Sequence, residues 1–403
     1  MYSEQGQEQI SAIDQSSPDT GGEQTGSPQL AEQPALKAIA PEEKPVASDA
    51  AESSNVTVSE LCTDPNYYDD PKGFRQELKR AQTVWLDLSN AAQDLIGDVR
   101  VGRSPSLAVV QAPLLKMVES VLRHPDALVW VARLHSGEPY SFSHAVRCAI
   151  FAVVFGRRLG LKQPRLETLA EGALLCQIGK TKLPKQLLEK RDPLASIELT
   201  RIRGHVELGV DLLRQCGDIS EEVTGIVENH CERFDGSGYP HGKMGDEIPL
   251  LARVAGLVDC YDAMTSVRPH TDDILSTCDD IEFLYEQRDI LFQGQLVEEF
   301  IQAFGIYPTG TLVQLNSGDV ALIKSQNESN RLQPEILLVL DENKDPLEKF
   351  SQIDLRQFNE TNADRPLSIK RALSVGEYGL DPNELMRQHA GQKRSWAKLP
   401  FGL

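Results

Sequence analysis

The sequence predicts a mainly α protein: a helical bundle with a small C-terminal β appendix and a disordered, acidic N-terminal tail. Three observations predict it. Apolar residues recur at helical spacing from about residue 74 to about residue 304. Short β-rich runs separated by turn residues occupy Gly310–Leu340. Residues 1–60 hold eleven acidic residues against Lys37 and Lys44, a net of −9, with no aromatic residue between Ser3 and Asn66. Such a segment cannot bury enough apolar area to offset its ordering entropy.

The elements follow in order. Leu78, Ala81, Trp85, Leu88, Ala92 and Leu95 make one face of a helix over 74–97. Ser104-Pro105 reads as an N-cap and first-turn proline. The helix that it introduces presents Val110, Leu114, Met117, Val118, Val121 and Leu122. Val146, Ile150, Val153 and Val154 form the next stripe, with Gly160 as its stop. Leu166, Leu169, Ala170, Ala173 and Leu174 form another. Ile202, His205, Leu208, Gly209 and Leu212 read as a third, and Val223, Ile226, Val227 and His230 as a fourth. Pro249 starts a fifth through Leu251, Val254, Ala255 and Val258. Strands are expected at 311–315, 320–323 and 336–340, the first two joined by an Asn316-Ser317-Gly318 turn. The domain boundaries expected are an acidic tail at 1–64, an N-terminal helical region at 65–135, a central helical domain at 136–305, a β appendix at 306–360 and a polar C-terminal tail at 361–403.

Composition narrows the function. The net charge of −19 repels phosphate backbones, so a nucleic acid polymer is not the expected partner, although a local basic pocket can still take a small phosphorylated ligand. The longest apolar run, Cys148–Phe155, is far short of the roughly 18 to 20 residues that cross a bilayer. Met1–Ile10 is polar and unlike a secretion signal. Seven scattered cysteines fit a reducing compartment, and the expected location is cytoplasmic.

Histidine is scarce, with eight in the chain. His144, His205, His230 and, more weakly, His124 lie on or near the expected core helices. A single helical His is usually a satisfied structural residue, but several buried imidazoles each need a partner, and a shared metal ion supplies one. Asp259 interrupts the apolar run Val254–Val258, where a buried carboxylate demands a cation or donors. The stretch His230–Pro240 places Gly236 and Gly238 in a tight turn just after a candidate ligand. Lys180 stands past the end of the helix expected at 165–177, as a dipole-complementing charge or a phosphate contact.

His230–Pro240, Ile248-Pro249-Leu250 and Val258–Pro269 together resemble the signature of HD-GYP domains. Tyr140–His144, Gly179-Lys180, Leu183-Pro184, Glu198 and His205 precede them in the family's order, and the segments at 80–135 and 304–355 resemble flanking regions common in the family, so the resemblance covers about 280 residues. It implies a helical bundle of the HD superfamily that holds two or three metal ions, often iron or manganese, and hydrolyses cyclic di-GMP. Carried over by position, His144, His205, His230 and Asp259 match metal ligands and Lys180 matches a catalytic, phosphate-contacting lysine. Arg233, Asp235, Gly236, Gly238, Tyr239, Pro240 and Arg268 match the ligand-binding face. The implied partners are cyclic di-GMP, diguanylate cyclase-type proteins and a second copy in a homodimer.

This chain departs from the family at chosen places. Cys176-Gln177 replaces the His-Asp dyad, Cys231 replaces the second histidine of a His-His pair, and His270-Thr271 replaces an aromatic and a basic residue. A carboxamide is a poor bridge between two dications. Cys176 and Cys231 read either as small buried filler or as soft ligands able to take zinc or iron. The expectation is a cyclic di-GMP signalling protein with impaired hydrolysis that binds a ligand or partner. The alternative is an active phosphodiesterase with a His/Cys/Asp site.

Overall fold

The computed structural model describes residues 74–389 apart from 104–105, 136–139, 189, 191, 217–218, 266–276, 328 and 375. The chain divides into two compact units, Met1–Val56 and Thr57–Leu403, and every described residue belongs to the second. The acidic tail expected at 1–64, the Ser104-Pro105 cap, Arg268, His270 and Thr271 lie outside the described residues.

Helix α1 (Phe74–Arg100) buries all six residues of its expected stripe. It packs on α2 (Ala108–Arg123) and α3 (Pro125–Leu134). The α1–α2 contact contains a buried carboxylate: Glu77 accepts from Ser120 Oγ at 2.8 Å and from Arg123 Nη2 at 2.9 Å. Burial would raise the Glu77 pKa, but Arg123 and Ser120 together hold it below the usual carboxylate value. Helix α2 begins after Leu107, which acts as its N-cap without a side-chain hydrogen bond.

Helix α4 (Tyr140–Arg158) is the centre of the bundle. Every residue from Ala145 to Phe155 is buried, so its sequence is apolar all round rather than amphipathic. It touches α1, α2, α3, α5 (Gln163–Leu175), α10 (Leu250–Thr265) and α12 (Gly294–Phe304). Gly160 closes α4 at φ +73°, as expected of a C-terminal stop. A 3-10 turn (Ile178–Lys182) and the short α6 (Lys185–Leu188) follow α5. The single stripe read through Ile202–Leu212 is broken in the structure. Helix α7 (Ser196–Arg203) ends at Gly204, and α8 (His205–Cys216) starts with the histidine itself. Then come α9 (Glu221–Asn229), α10, α11 (Thr277–Glu286) and α12. Among the described residues no helix is long and apolar enough to cross a membrane.

The C-terminal part is a five-stranded antiparallel sheet in the order β4-β3-β2-β1-β5. Strands β1 (Leu312–Leu315), β2 (Val320–Ser325) and β3 (Glu335–Leu340) are those read from the sequence. Strands β4 (Pro346–Asp354) and β5 (Ile369–Ala372) extend it, with α13 (Leu355–Thr361) between them. The polar tail expected from 361 onward is therefore corrected: β5 pairs with β1, and α14 (Pro382–His389) buries Leu385 and Met386 against α3. Backbone pairing and the buried side chains of Leu373, Leu380, Leu385 and Met386 order a segment whose composition is otherwise polar.

Candidate metal centre

The site begins with two carboxylates one turn apart on α10, Asp259 and Asp262, which the 3.6-residue repeat sets on one face. Central helix α4 brings His144 between them. Its Nδ1 lies 2.6 Å from Asp262 Oδ2 and its Nε2 lies 2.9 Å from Asp259 Oδ1. Arg147, three residues on, donates from Nε at 2.7 Å and Nη2 at 3.0 Å to Asp262. Arg147 is 1% exposed and Asp262 fully buried, so neither charge is tolerable without the other. Burial would raise the Asp262 pKa, but Arg147 and His144 hold it well below the carboxylate range. Asp259 behaves alike: desolvation raises it, while His144, His230 and Lys180 bring it far down.

A second group forms where α8 starts and α9 ends. His205 Nδ1 lies 2.8 Å from the Ile202 carbonyl, and His230 Nδ1 lies 2.8 Å from the Val227 carbonyl. A carbonyl only accepts, so each Nδ1 carries the proton, and each Nε2 is turned to the other's neighbourhood. The rings stand 5.6 Å apart, edge to face. His230 Nε2 is 3.2 Å from Cys231 Sγ, and His205 Nε2 is buried with no hydrogen-bond partner. Burial would raise the Cys231 thiol pKa, yet the imidazoles of His230 and His205 push it well down. Burial would lower His230, and the adjacent sulfurs of Cys176 and Cys231 push it well up. Two glycines let backbones close on these histidines. A methyl at Gly179 would sit 1.9 Å from the His205 carbonyl oxygen, and one at Gly256 would sit 2.4 Å from the His230 carbonyl oxygen.

Two further departures from the HD-GYP pattern, Cys176 and Gln177, border these groups. Gln177, 7% exposed, donates from Nε2 at 2.7 Å to Asp259 Oδ1, the oxygen that faces His144 Nε2. Its Oε1 is buried with no partner. Cys176 is buried, and burial raises its thiol pKa despite the nearby His230. Cys148, on α4 one turn past His144, completes a set with His144 and Asp259 whose potential ligand atoms lie within 4.8 Å of one another. His205, His230 and Cys231 form the other such set.

The loop after His230 is built on Glu232. Its buried carboxylate accepts from the backbone N–H of His241 at 2.7 Å and of Lys243 at 3.1 Å. Gly236 takes φ +82° within it, and Gly238 packs against the Glu232–Arg233 backbone. Tyr239 and Pro240 complete the turn, with the Tyr239 ring 6.4 Å from that of His205 and under the Arg203 guanidinium at 5.2 Å. Asp235 is exposed and accepts from Ser237 N–H at 2.9 Å and Oγ–H at 2.6 Å, turning into its own loop. Arg233 donates to the carbonyls of His230 and Glu232 and covers the Phe292 ring. Lys180 sits half-buried on the 3-10 turn, close enough for its charge to act on Asp259. Glu198 pairs with Lys190 at 2.6 Å and accepts from the Ala195 N–H that starts its own helix. His124 lies apart, between α2 and α3 against Phe74.

Sequence reading missed Asp262, Arg147 and Cys148. The first two had a visible signal, an acid three residues after Asp259 and a base three residues after His144. Cys148 had none, because a cysteine in an apolar run looks like filler.

The sequence matches the HD domain family over residues 131–283. The helices that carry both donor groups thus resemble an HD domain. The chain is 31% identical to cyclic di-GMP phosphodiesterase PA4108 of Pseudomonas aeruginosa over 263 residues, 65% of this chain and 63% of that one. It is 26% identical to cyclic di-GMP phosphodiesterase PdeB of Borreliella burgdorferi over 245 residues, 61% of this chain and 63% of that one. With the cyclic di-GMP phosphodiesterase response regulator RpfG of Xanthomonas campestris the identity is 30% over 200 residues, 49% of this chain and 52% of that one. The chain thus spans less than two thirds of the length of these relatives. HD domain phosphohydrolases are metal-dependent, and the donor chemistry here suits a divalent cation. Each of His205 and His230 gives its Nδ1 proton to a backbone carbonyl, and His144 has a carboxylate at Nδ1, the arrangement that orients imidazole ligands.

Proposed function

We propose that this HD domain protein is a cyclic di-GMP signalling module whose hydrolysis is impaired and whose domain binds a ligand or partner without efficient turnover. The observation that carries this reading is the 2.7 Å hydrogen bond from Gln177 to Asp259. A hydrolytic pair of dications held a few ångströms apart repels strongly, and anionic bridging ligands offset that repulsion. Position 177 supplies a neutral amide instead. That amide directs a donor at the Asp259 oxygen that also faces His144. Loss of a bridging carboxylate costs several kcal/mol of metal affinity, on the order of the changes seen in structural sites.

A metal bound here would polarise a phosphoryl oxygen and supply an activated water. The groups that would hold metal are His144 with Asp259, and His205 with His230 and Cys231. The chain's own groups have simpler tasks. Lys180 contributes positive charge beside Asp259 and suits a phosphate oxygen. Tyr239 and the Arg203 guanidinium above it form a stacked pair of the kind that suits a purine. Glu232 keeps the loop in place through its two backbone hydrogen bonds.

Calorimetric titration with cyclic di-GMP and a parallel hydrolysis assay test the reading. Binding without turnover is expected, and measurable turnover by metal-bound protein refutes it. A companion variant combines Cys176→His with Gln177→Asp. It is expected to raise iron or manganese content toward about two per chain, measured by elemental analysis, and to gain hydrolysis.

The two clustered donor sets favour a second reading, a working phosphodiesterase with an altered His/Cys/Asp centre. It requires wild-type protein grown with ample iron and manganese to retain about one metal or more per chain and to turn over substrate. Metal-free protein excludes it.

A further inference from the structure

We propose that His205, His230 and Cys231 form a mononuclear site for a zinc-class cation, with two imidazole nitrogens and one thiolate sulfur as ligands. The proposal rests on the reading above, that the carboxylate-bridged arrangement is lost, and it names what the altered centre takes instead.

Four observations support it. The three ligand atoms already lie within 4.8 Å of one another, and all three residues are buried. Both imidazoles are locked in the tautomer that leaves Nε2 available, by their hydrogen bonds to the Ile202 and Val227 carbonyls. His205 Nε2 is buried without a hydrogen-bond partner, a costly condition that an ion would relieve. The third donor is sulfur, at 3.2 Å from His230 Nε2. Thiolate with imidazole selects zinc or cobalt over the harder manganese, which prefers oxygen. Cys176, which also interacts with His230, places a second sulfur beside the group.

The other donor set differs in kind. Both nitrogens of His144 already face carboxylates, and Asp259 Oδ1 also accepts from Gln177. An ion entering at His144 Nε2 and Asp259 Oδ1 must displace two hydrogen bonds. An ion entering the His205 set displaces only the His230 Nε2–Cys231 Sγ contact, and no partner fixes His205 Nε2. One ion is therefore expected, on the His205 side, where a two-metal centre would occupy both.

Chelator-treated full-length protein, dialysed separately against zinc, cobalt and manganese, tests this. About one zinc or cobalt and less than about a tenth of a manganese per chain are expected. The cobalt form should show a thiolate-to-metal charge-transfer band in the near ultraviolet. Cys231→Ser and Cys231→His should abolish that band, and Cys148→Ser should keep it. A band that survives both Cys231 variants overturns the proposal, as does a band lost in Cys148→Ser. Circular dichroism checks folding of each variant. If the Cys231 variants do not fold, alkylation mapping on wild-type protein replaces them: zinc should protect Cys231, and equal labelling with and without zinc overturns the proposal. The two ideas fail separately. Protein that takes no zinc and hydrolyses nothing removes this proposal alone. Protein that takes two manganese or iron ions and turns over cyclic di-GMP removes the reading on which it rests.

Discussion

At the scale of single residues, the centre depends on charges that cannot stand alone. Asp262 faces both Arg147 and His144 from full burial. Asp262→Asn keeps the shape but removes the negative charge opposite a buried guanidinium. It is expected to destabilise the fold by about 3–5 kcal/mol, read by denaturant unfolding, and an unchanged midpoint would contradict the argument. Part of this was legible beforehand. His205 and His230 stood on apolar stripes, and Asp259 interrupted one, so polarity in the wrong place marked them. Cys176 and Cys231 acquired meaning only from the family resemblance, because a thiol is apolar enough to pass for core. Gln177 could be recognised as a departure, but its hydrogen bond to Asp259 is a tertiary fact that no local pattern contains.

At the scale of elements, the histidines are held by close backbone approach. The 3-10 turn meets the start of α8 at Gly179, where any Cβ would collide with the His205 carbonyl oxygen. Gly179→Ala is expected to cost several kcal/mol, about the upper range for single substitutions. Gly225→Ala provides the contrast. Gly225 lies within α9, and a methyl group there would meet nothing within 4 Å, so the change should stabilise by about 0.5–1 kcal/mol. Thermal melting of the two variants measures both signs, and equal shifts would undo the explanation. Helices α1, α2, α4, α5, α9 and α10 were readable because their apolar residues keep helical spacing. The break at Gly204 was not, since Ile202 and His205 continue a plausible stripe across it. Strand β4 was missed because it is mostly exposed and polar, and β5 because its four residues carry too little pattern to distinguish from a loop.

At the scale of the molecule, acid should loosen the contact between the C-terminal helix and the bundle. His389 on α14 packs against Trp130 of α3 at 5.5 Å. Burial, with Lys324 and Arg75 nearby, lowers its pKa to about 4. His124 is also lowered, chiefly by burial. The unfolded chain takes up these protons near pH 6.5 while the folded chain resists, so stability holds above about pH 6.5 and declines as pH falls toward about 4. His389→Gln should flatten part of that decline in denaturant melts at stepped pH. A decline identical to wild type would exclude His389 as a source.

The central position of α4 has a kinetic consequence. Among the described residues, Cys148 is buried on a helix that packs against six others, so its sulfur is expected to be uncovered mainly when the bundle opens. A thiol reagent must wait for the bundle to come apart, and its rate of attack on Cys148 should fall in step with added stability. Half-buried Cys216 and Cys260 should react ahead of it. Time-resolved alkylation read by mass spectrometry would then time the opening of the whole bundle from a single sulfur atom.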